Sequence, residues 1–229
     1  MDLKQRLESV RHRIARAAKS SGRLPEEIRL VAVSKTMTVE TVSTAIDAGA
    51  DILGENYIQE ARSKVNALAD RDVNWHFIGR LQTNKAKYAV RLFDLIHSVD
   101  SLKLARELDK QAARVGKIQS ILLQVNVAKE ETKSGAFAED LHDLVAAVAR
   151  LPNLSLEGLM TMPPFFNAPD KVRPYFSQLR QLRDEIAGKQ IANIRMRELS
   201  MGMTGDFEAA IAEGATLVRV GTAIFGERQ

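Results

Sequence analysis

Lys35 is the residue whose position most calls for chemistry. It follows Leu30-Val31-Ala32-Val33-Ser34, where four apolar residues, two of them β-branched, run into a polar end. A short apolar run of this kind reads as a buried parallel strand. Lysine is rarely buried unless it is paired or has a task. Held in a partly dry pocket at a strand end, its amine gives up a proton more easily, and the neutral amine can add to an aldehyde to form a Schiff base. The plainer alternative is that the strand ends here and Lys35 points into water. This stretch alone leaves both open.

Two further stretches could bind an anion. Ser200-Met201-Gly202-Met203-Thr204-Gly205 leads into Asp206-Phe207-Glu208-Ala209-Ala210-Ile211, with Thr204 the expected N-cap. Gly202 and Gly205 let backbone amides turn toward a ligand without a Cβ in the way. Near the C-terminus, Gly221-Thr222-Ala223-Ile224 can start a short helix, and helix starts present amides to anions. Asp206 and Glu208 would repel a phosphate, so both are expected to point away from it. Two ordinary glycine turns are the alternative. Arg219 interrupts the apolar run Leu217-Val218-Arg219-Val220 and is expected to face a buried partner. That partner is either an acid on a neighbouring strand, Glu198 or Glu157, or the acceptor nitrogen of a bound heterocycle. The guanidinium has donors for both.

The elements that must position these residues alternate. Candidate strands fall at 30–34, 51–54, 74–79, 94–98, 119–125, 155–159, 197–200 and 216–220. Helical patterns lie between them at 38–48, 56–69, 82–91, 101–115, 138–150, 170–188 and 204–213. This rhythm means parallel strands with crossover helices. About eight such units in just over 200 residues predicts a (β/α)₈ barrel in a single domain spanning 1–229. A doubly wound sheet is the main alternative, but no Gly-x-Gly-x-x-Gly follows the first strand. Leu3, Leu7, Val10, Ile14 and Ala17 add an amphipathic helix over 1–22, ending near Gly22. Its Arg11, Arg13, Arg16 and Lys19 suit the helix dipole and read as a solvated face. In such barrels the chemistry sits where strands end and loops begin, which is where Lys35 and both glycine-bearing loops fall.

The 229 residues contain no cysteine, which excludes disulfides and thiolate chemistry and fits a reducing compartment. The 33 basic and 29 acidic residues are mixed throughout, a weak case for nucleic acid. No run approaches membrane-spanning length, and Met1-Asp2-Leu3-Lys4-Gln5-Arg6 has no apolar signal core, so a cytoplasmic protein is expected. His12, His76, His97 and His142 are scattered, and no metal site is expected.

An amine for an aldehyde, an anion site for a phosphate and an arginine for a ring nitrogen together describe pyridoxal 5′-phosphate (PLP). The sequence resembles the pyridoxal phosphate homeostasis proteins, relatives of the alanine racemase barrel. The resemblance is carried by Val31-Ala32-Val33-Ser34-Lys35, Gly54-Glu55-Asn56-Tyr57-Ile58-Gln59-Glu60, Trp75-His76-Phe77-Ile78-Gly79 and Leu81-Gln82-Thr83-Asn84-Lys85. It continues in Glu131-Thr132-Lys133-Ser134-Gly135, Gly158-Leu159-Met160-Thr161-Met162, the stretch Ser200 to Phe207, and Val218 to Gly226. The resemblance implies a Schiff base on Lys35, a phosphate held by Ser200, Gly221 and Thr222 with Gly202 in the same cofactor-binding set, and Arg219 at the pyridine nitrogen. Asn56 and His76 would line the pocket. It also implies a role in PLP homeostasis or carriage, with PLP-dependent apoenzymes as recipients.

An arginine cannot accept the ring proton that transamination needs, so the resemblance points away from transaminase chemistry. Racemisation needs a base on each face of the α-carbon, and Lys35 supplies one. In alanine racemase the other is a tyrosine from a second domain; this chain ends at Gln229, directly after the barrel, so none is expected. Tyr57 and His76 are the substitutes. A carrier without turnover of its own is therefore expected, and a weak amino-acid racemase is the alternative. A monomer is expected, although nothing in the sequence dictates the oligomer. The roles of Asn84, Lys85 and Lys133 stay open.

Overall fold

The computed structural model describes residues 1–130, 134–164 and 169–227. Eight parallel strands close into a barrel in sequence order: β1 Arg29–Val33, β2 Ile52–Glu55, β3 Asn74–Phe77, β4 Leu95–Val99, β5 Gln119–Gln124, β6 Leu154–Met160, β7 Ile194–Ser200 and β8 Leu217–Val220. The expected (β/α)₈ barrel is what forms. β8 returns to β1 with Val31 opposite Arg219 and Ala32 opposite Val220.

Successive residues of a strand face opposite sides, and the burial clusters follow that rule. Val31, Ile52, Leu95, Leu122, Met160 and Leu217 form one buried cluster, which fills the lumen. Their neighbours Ala32, Leu53, Ile96, Leu123, Leu159 and Val218 pack in a separate, larger cluster with the helices. Strands such as β4 and β8 are buried at every position, which is why they read as largely apolar runs, whereas β7 keeps Arg195 and Arg197 exposed.

α1 Leu3–Ser20 precedes the barrel. Asp2 accepts from the Gln5 amide, while the Gln5 side chain accepts from the Asp2 amide. Leu7, Val10, Ile14 and Ala18 are its buried stripe. The crossover helices are α2 Val39–Asp47, α3 Ile58–Ala67, α4 Ala86–Leu92, α5 Leu102–Arg114, α6 Leu141–Val148, α7 Arg173–Gly188 and α8 Phe207–Ala212, with a last turn, α9 Thr222–Phe225. The basic residues of α1 are not simply solvated. Arg13 pairs with Glu208 at 2.7 Å and lies over the Phe207 ring, and Arg6 Nε donates to the Ile224 carbonyl at 2.6 Å. These contacts tie α1 to the two helices that follow β7 and β8. Among the described residues no helix is long and apolar enough to cross a membrane.

α8 starts later than the sequence pattern predicts. Thr204 is not its cap: the carboxylate of Asp206 accepts from the Met203 amide at 2.6 Å, so the chain turns once through 203–206 before the helix begins at Phe207. Gly202 enters that turn at φ +89°, and a Cβ there would lie 2.6 Å from the Ala210 Cβ and 2.9 Å from the Phe207 Cα. Glycine is therefore needed both for the backbone conformation and for the seating of α8.

Candidate functional site

A cavity of about 260 Å³ opens at the C-terminal ends of β1, β2 and β8, with Lys35, Asn56, Arg219, Gly221 and Thr222 in its wall. Strand parity explains Lys35. Val31, Val33 and Lys35 share the lumen side, and Ser34 faces the helices. There Ser34 is pinned twice: its hydroxyl donates to Glu55 Oε1 at 2.6 Å, and its carbonyl accepts from Lys64 Nζ at 2.7 Å. Lys64 also pairs with Glu55 at 2.7 Å, and all three residues are buried. Burial raises the Glu55 carboxyl pKa against the opposing pull of Lys64 and Ser34. Thr36 then takes φ 67°, a left-handed value rare for threonine, and donates its amide to Glu60, so the chain leaves the strand immediately after Lys35.

Arg219 reaches the same cavity from β8. Nη1 donates to Ser200 Oγ at 2.6 Å and Nη2 to the Thr161 carbonyl at 2.9 Å. The ion pair with Glu198 or Glu157, one of the two alternatives for Arg219, does not form among the described residues. Register places Leu217 opposite Ser200, so Glu198 lies well below Arg219, where it pairs with Arg29 at 2.7 Å; Glu157 faces Arg195 at 3.5 Å. Burial lowers the Arg219 pKa to about 10, opposed by the charge of Asp206, and the group stays cationic at neutral pH.

Ser200 and His76 lie beneath the cavity rather than in its wall. Ser200 is fully buried, with Oγ 2.8 Å from His97 Nδ1; His97 Nε2 is 3.0 Å from His76 Nδ1. The place expected for His76 is taken by Ile78, two residues further along the same side of the chain. Burial pushes the His76 pKa down to about 3 and His97 well below its ordinary value, with repulsion from His76 and Arg219 adding to the latter. Both rings are neutral at physiological pH.

Asn56 stands in the wall, and its Oδ1 is buried with no hydrogen-bond partner among the described residues. Thr204, Gly205 and Asp206 line the same cavity as Lys35. Glu208 points away to Arg13, as expected, but Asp206 lines the cavity, with its carboxylate accepting from the Met203 amide. Burial raises its pKa, opposed by the Met203 amide and Arg219. Tyr57 and Lys85 wall a second, larger cavity of about 660 Å³ that shares Asn56. Lys133 lies outside the described residues.

Glu55, Lys64, Thr161 and His97 were not expected to have positions in this site. Two of them left a trace in the sequence. Lys64 occupies the buried stripe of α3 between Ala61 and Leu68, an odd place for lysine unless it is paired. His97 is a lone polar ring in an apolar strand, as His76 is in the strand before it.

Residues 5–229 match the family described as alanine racemase, N-terminal domain. The chain is 46% identical over 229 residues to the pyridoxal phosphate homeostasis protein of Aquifex aeolicus, covering 100% of both. It is 43% identical over 232 residues to the protein of that name in Escherichia coli K12, covering 99% of this chain and 97% of the relative. The structure of PipY from Synechococcus elongatus PCC7942 with PLP bound superposes with a TM-score of 0.86 at 37% identity, covering 98% of this chain and 100% of that one.

Proposed function

The chain belongs to the family of pyridoxal phosphate homeostasis proteins, and from that membership we propose that it binds PLP and serves its supply inside the cell. The observation that carries the proposal is the meeting of Lys35, Arg219 and Thr222 in one cavity at the strand ends. The cavity fits the group. Lys35 would hold the aldehyde carbon covalently through its amine. Hydroxyls and amides of the loops at Thr204 and Thr222 would receive the phosphate. Arg219, with no carboxylate partner among the described residues, would donate to the ring nitrogen. Asn56 stands in the same wall. Ser200 would act from below through Arg219, and Gly202 through the shape of the loop.

When bound, the cofactor supplies an electrophilic aldehyde and an electron sink. Arg219 leaves that sink weak, because a guanidinium has no lone pair to take the ring proton. Neither candidate second base lines the Lys35 cavity among the described residues: Tyr57 walls the neighbouring cavity, and His76 lies beneath with Nδ1 against His97. These placements favour a carrier over a racemase. The same proposal takes apo forms of PLP-dependent enzymes as recipients, a cytoplasmic location and a monomeric state.

The test is an absorbance spectrum of the purified protein with PLP, followed by borohydride reduction and peptide mapping. A yellow band and a pyridoxyl group on the Lys35 peptide are expected. Stoichiometric labelling of Lys85 or Lys133 instead would overturn the assignment.

A further inference from the structure

Beneath the cavity, four side chains from four strands form a continuous line: Arg219 on β8, Ser200 on β7, His97 on β4 and His76 on β3. The line has a direction, set by its first member. Guanidinium is a donor only, so Arg219 Nη1 gives its proton to Ser200 Oγ. The Ser200 hydroxyl is fully buried, and its remaining neighbour within hydrogen-bond distance among the described residues is His97 Nδ1 at 2.8 Å. If His97 also donated to Ser200, the buried hydroxyl proton would be left without an acceptor among the described residues, a loss larger than that of an ordinary hydrogen bond. Ser200 therefore donates to His97 Nδ1. A neutral ring with Nδ1 accepting carries its proton on Nε2, and His97 Nε2 donates to His76 Nδ1 at 3.0 Å. His76 in turn carries its proton on Nε2.

We propose that His97 and His76 are positioning residues for Arg219: a one-way chain, Arg219 to Ser200 to His97 to His76, holds the Ser200 lone pair toward the guanidinium and so aims Arg219 into the Lys35 cavity. The histidines touch nothing in the cavity themselves. Their part is to give the Ser200 proton a destination away from Arg219. That the aimed guanidinium meets a ring nitrogen rests on the PLP proposal; the direction of the chain does not.

The experiment has two arms. Long-range ¹H–¹⁵N spectra of the full chain, with assignments made by single histidine substitutions, should show both buried rings as neutral Nε2–H tautomers at neutral pH. An Nδ1–H tautomer or a charged ring at either position overturns the chain. In the second arm, His97→Gln and His97→Phe are loaded with PLP. Glutamine can accept from Ser200 and donate to His76; phenylalanine can do neither. The expected result is the parental absorbance band in His97→Gln, and in His97→Phe a shifted band with PLP lost roughly tenfold faster, the scale of one buried hydroxyl losing its acceptor. A folded His97→Phe protein with parental band and PLP release overturns the positioning role. If His97→Phe does not fold, the tautomers of the parent protein still decide the chain. If the parent binds no PLP, the spectra stand and only the PLP proposal falls.

Discussion

Acid should destabilise this protein through His76, by an amount its burial sets. In the folded chain the His76 pKa is pushed from 6.5 to about 3, chiefly by desolvation of the charged ring. Between those values the unfolded chain binds a proton that the folded chain refuses. Stability therefore rises with pH across that window and is lost as pH falls through it. Taking the two pKa values together, a drop from pH 7 to pH 5 costs about 2 kcal/mol at this one residue. That is a large share of the roughly 5–15 kcal/mol that holds a typical domain folded. His97 is pushed in the same direction and adds a penalty of the same sign. Glu55 and Asp206, whose carboxyl pKa values are raised, act in the opposite sense, so the total slope is a mixture. His76→Gln isolates one contribution, since the amide oxygen can still accept from His97 Nε2 without titrating. Urea unfolding of parent and variant at both pH values should give a pH-dependent loss about 2 kcal/mol smaller in the variant, with m-values unchanged. Equal losses in the two proteins would mean that His76 protonates in the folded state, and the assigned burial would be wrong.

Lys64→Met should lower stability by about 3–5 kcal/mol, because Glu55 would be left buried without its cation; a melting temperature equal to the parent's would show that the pair is idle. Arg219→Glu would set a carboxylate against the Thr161 carbonyl, an acceptor facing an acceptor, so weaker PLP binding and a lower melting temperature are expected. A folded variant with parental PLP affinity would show that Arg219 does not serve the cofactor. Incubated with L-alanine in deuterated water, the PLP-loaded protein should show no rapid α-deuterium exchange and no D-alanine, whereas fast exchange would favour the racemase alternative.

Much of the architecture was legible in the sequence because its signals are local. A strand buried on both faces must be apolar throughout, so Leu30 to Val33 and Leu217 to Val220 announced themselves, and the helix spacing between runs dictated parallel crossovers. Lys35 stood out for the same reason, as a charge where a buried run stops. Its facing toward the lumen followed from alternation once the strand was placed. The partners of buried polar groups are a different matter, because they depend on barrel register and closure, which join residues far apart in the chain. Arg219 could have met Glu198 on sequence alone; a register that sets Leu217 opposite Ser200 gives it Ser200 and the Thr161 carbonyl instead. Glu55 and Lys64 became a clamp on Ser34 only when α3 docked on β2. His76 and His97, two scattered histidines in the sequence, became one hydrogen-bonded pair because β3 and β4 are neighbours and both rings face the lumen. Residue type and period determined which residues are buried and on which side of a strand they fall. Only the closed barrel decided which of them meet, since hydrogen bonds need their atoms within about 3 Å and no one-dimensional pattern specifies that distance across the barrel.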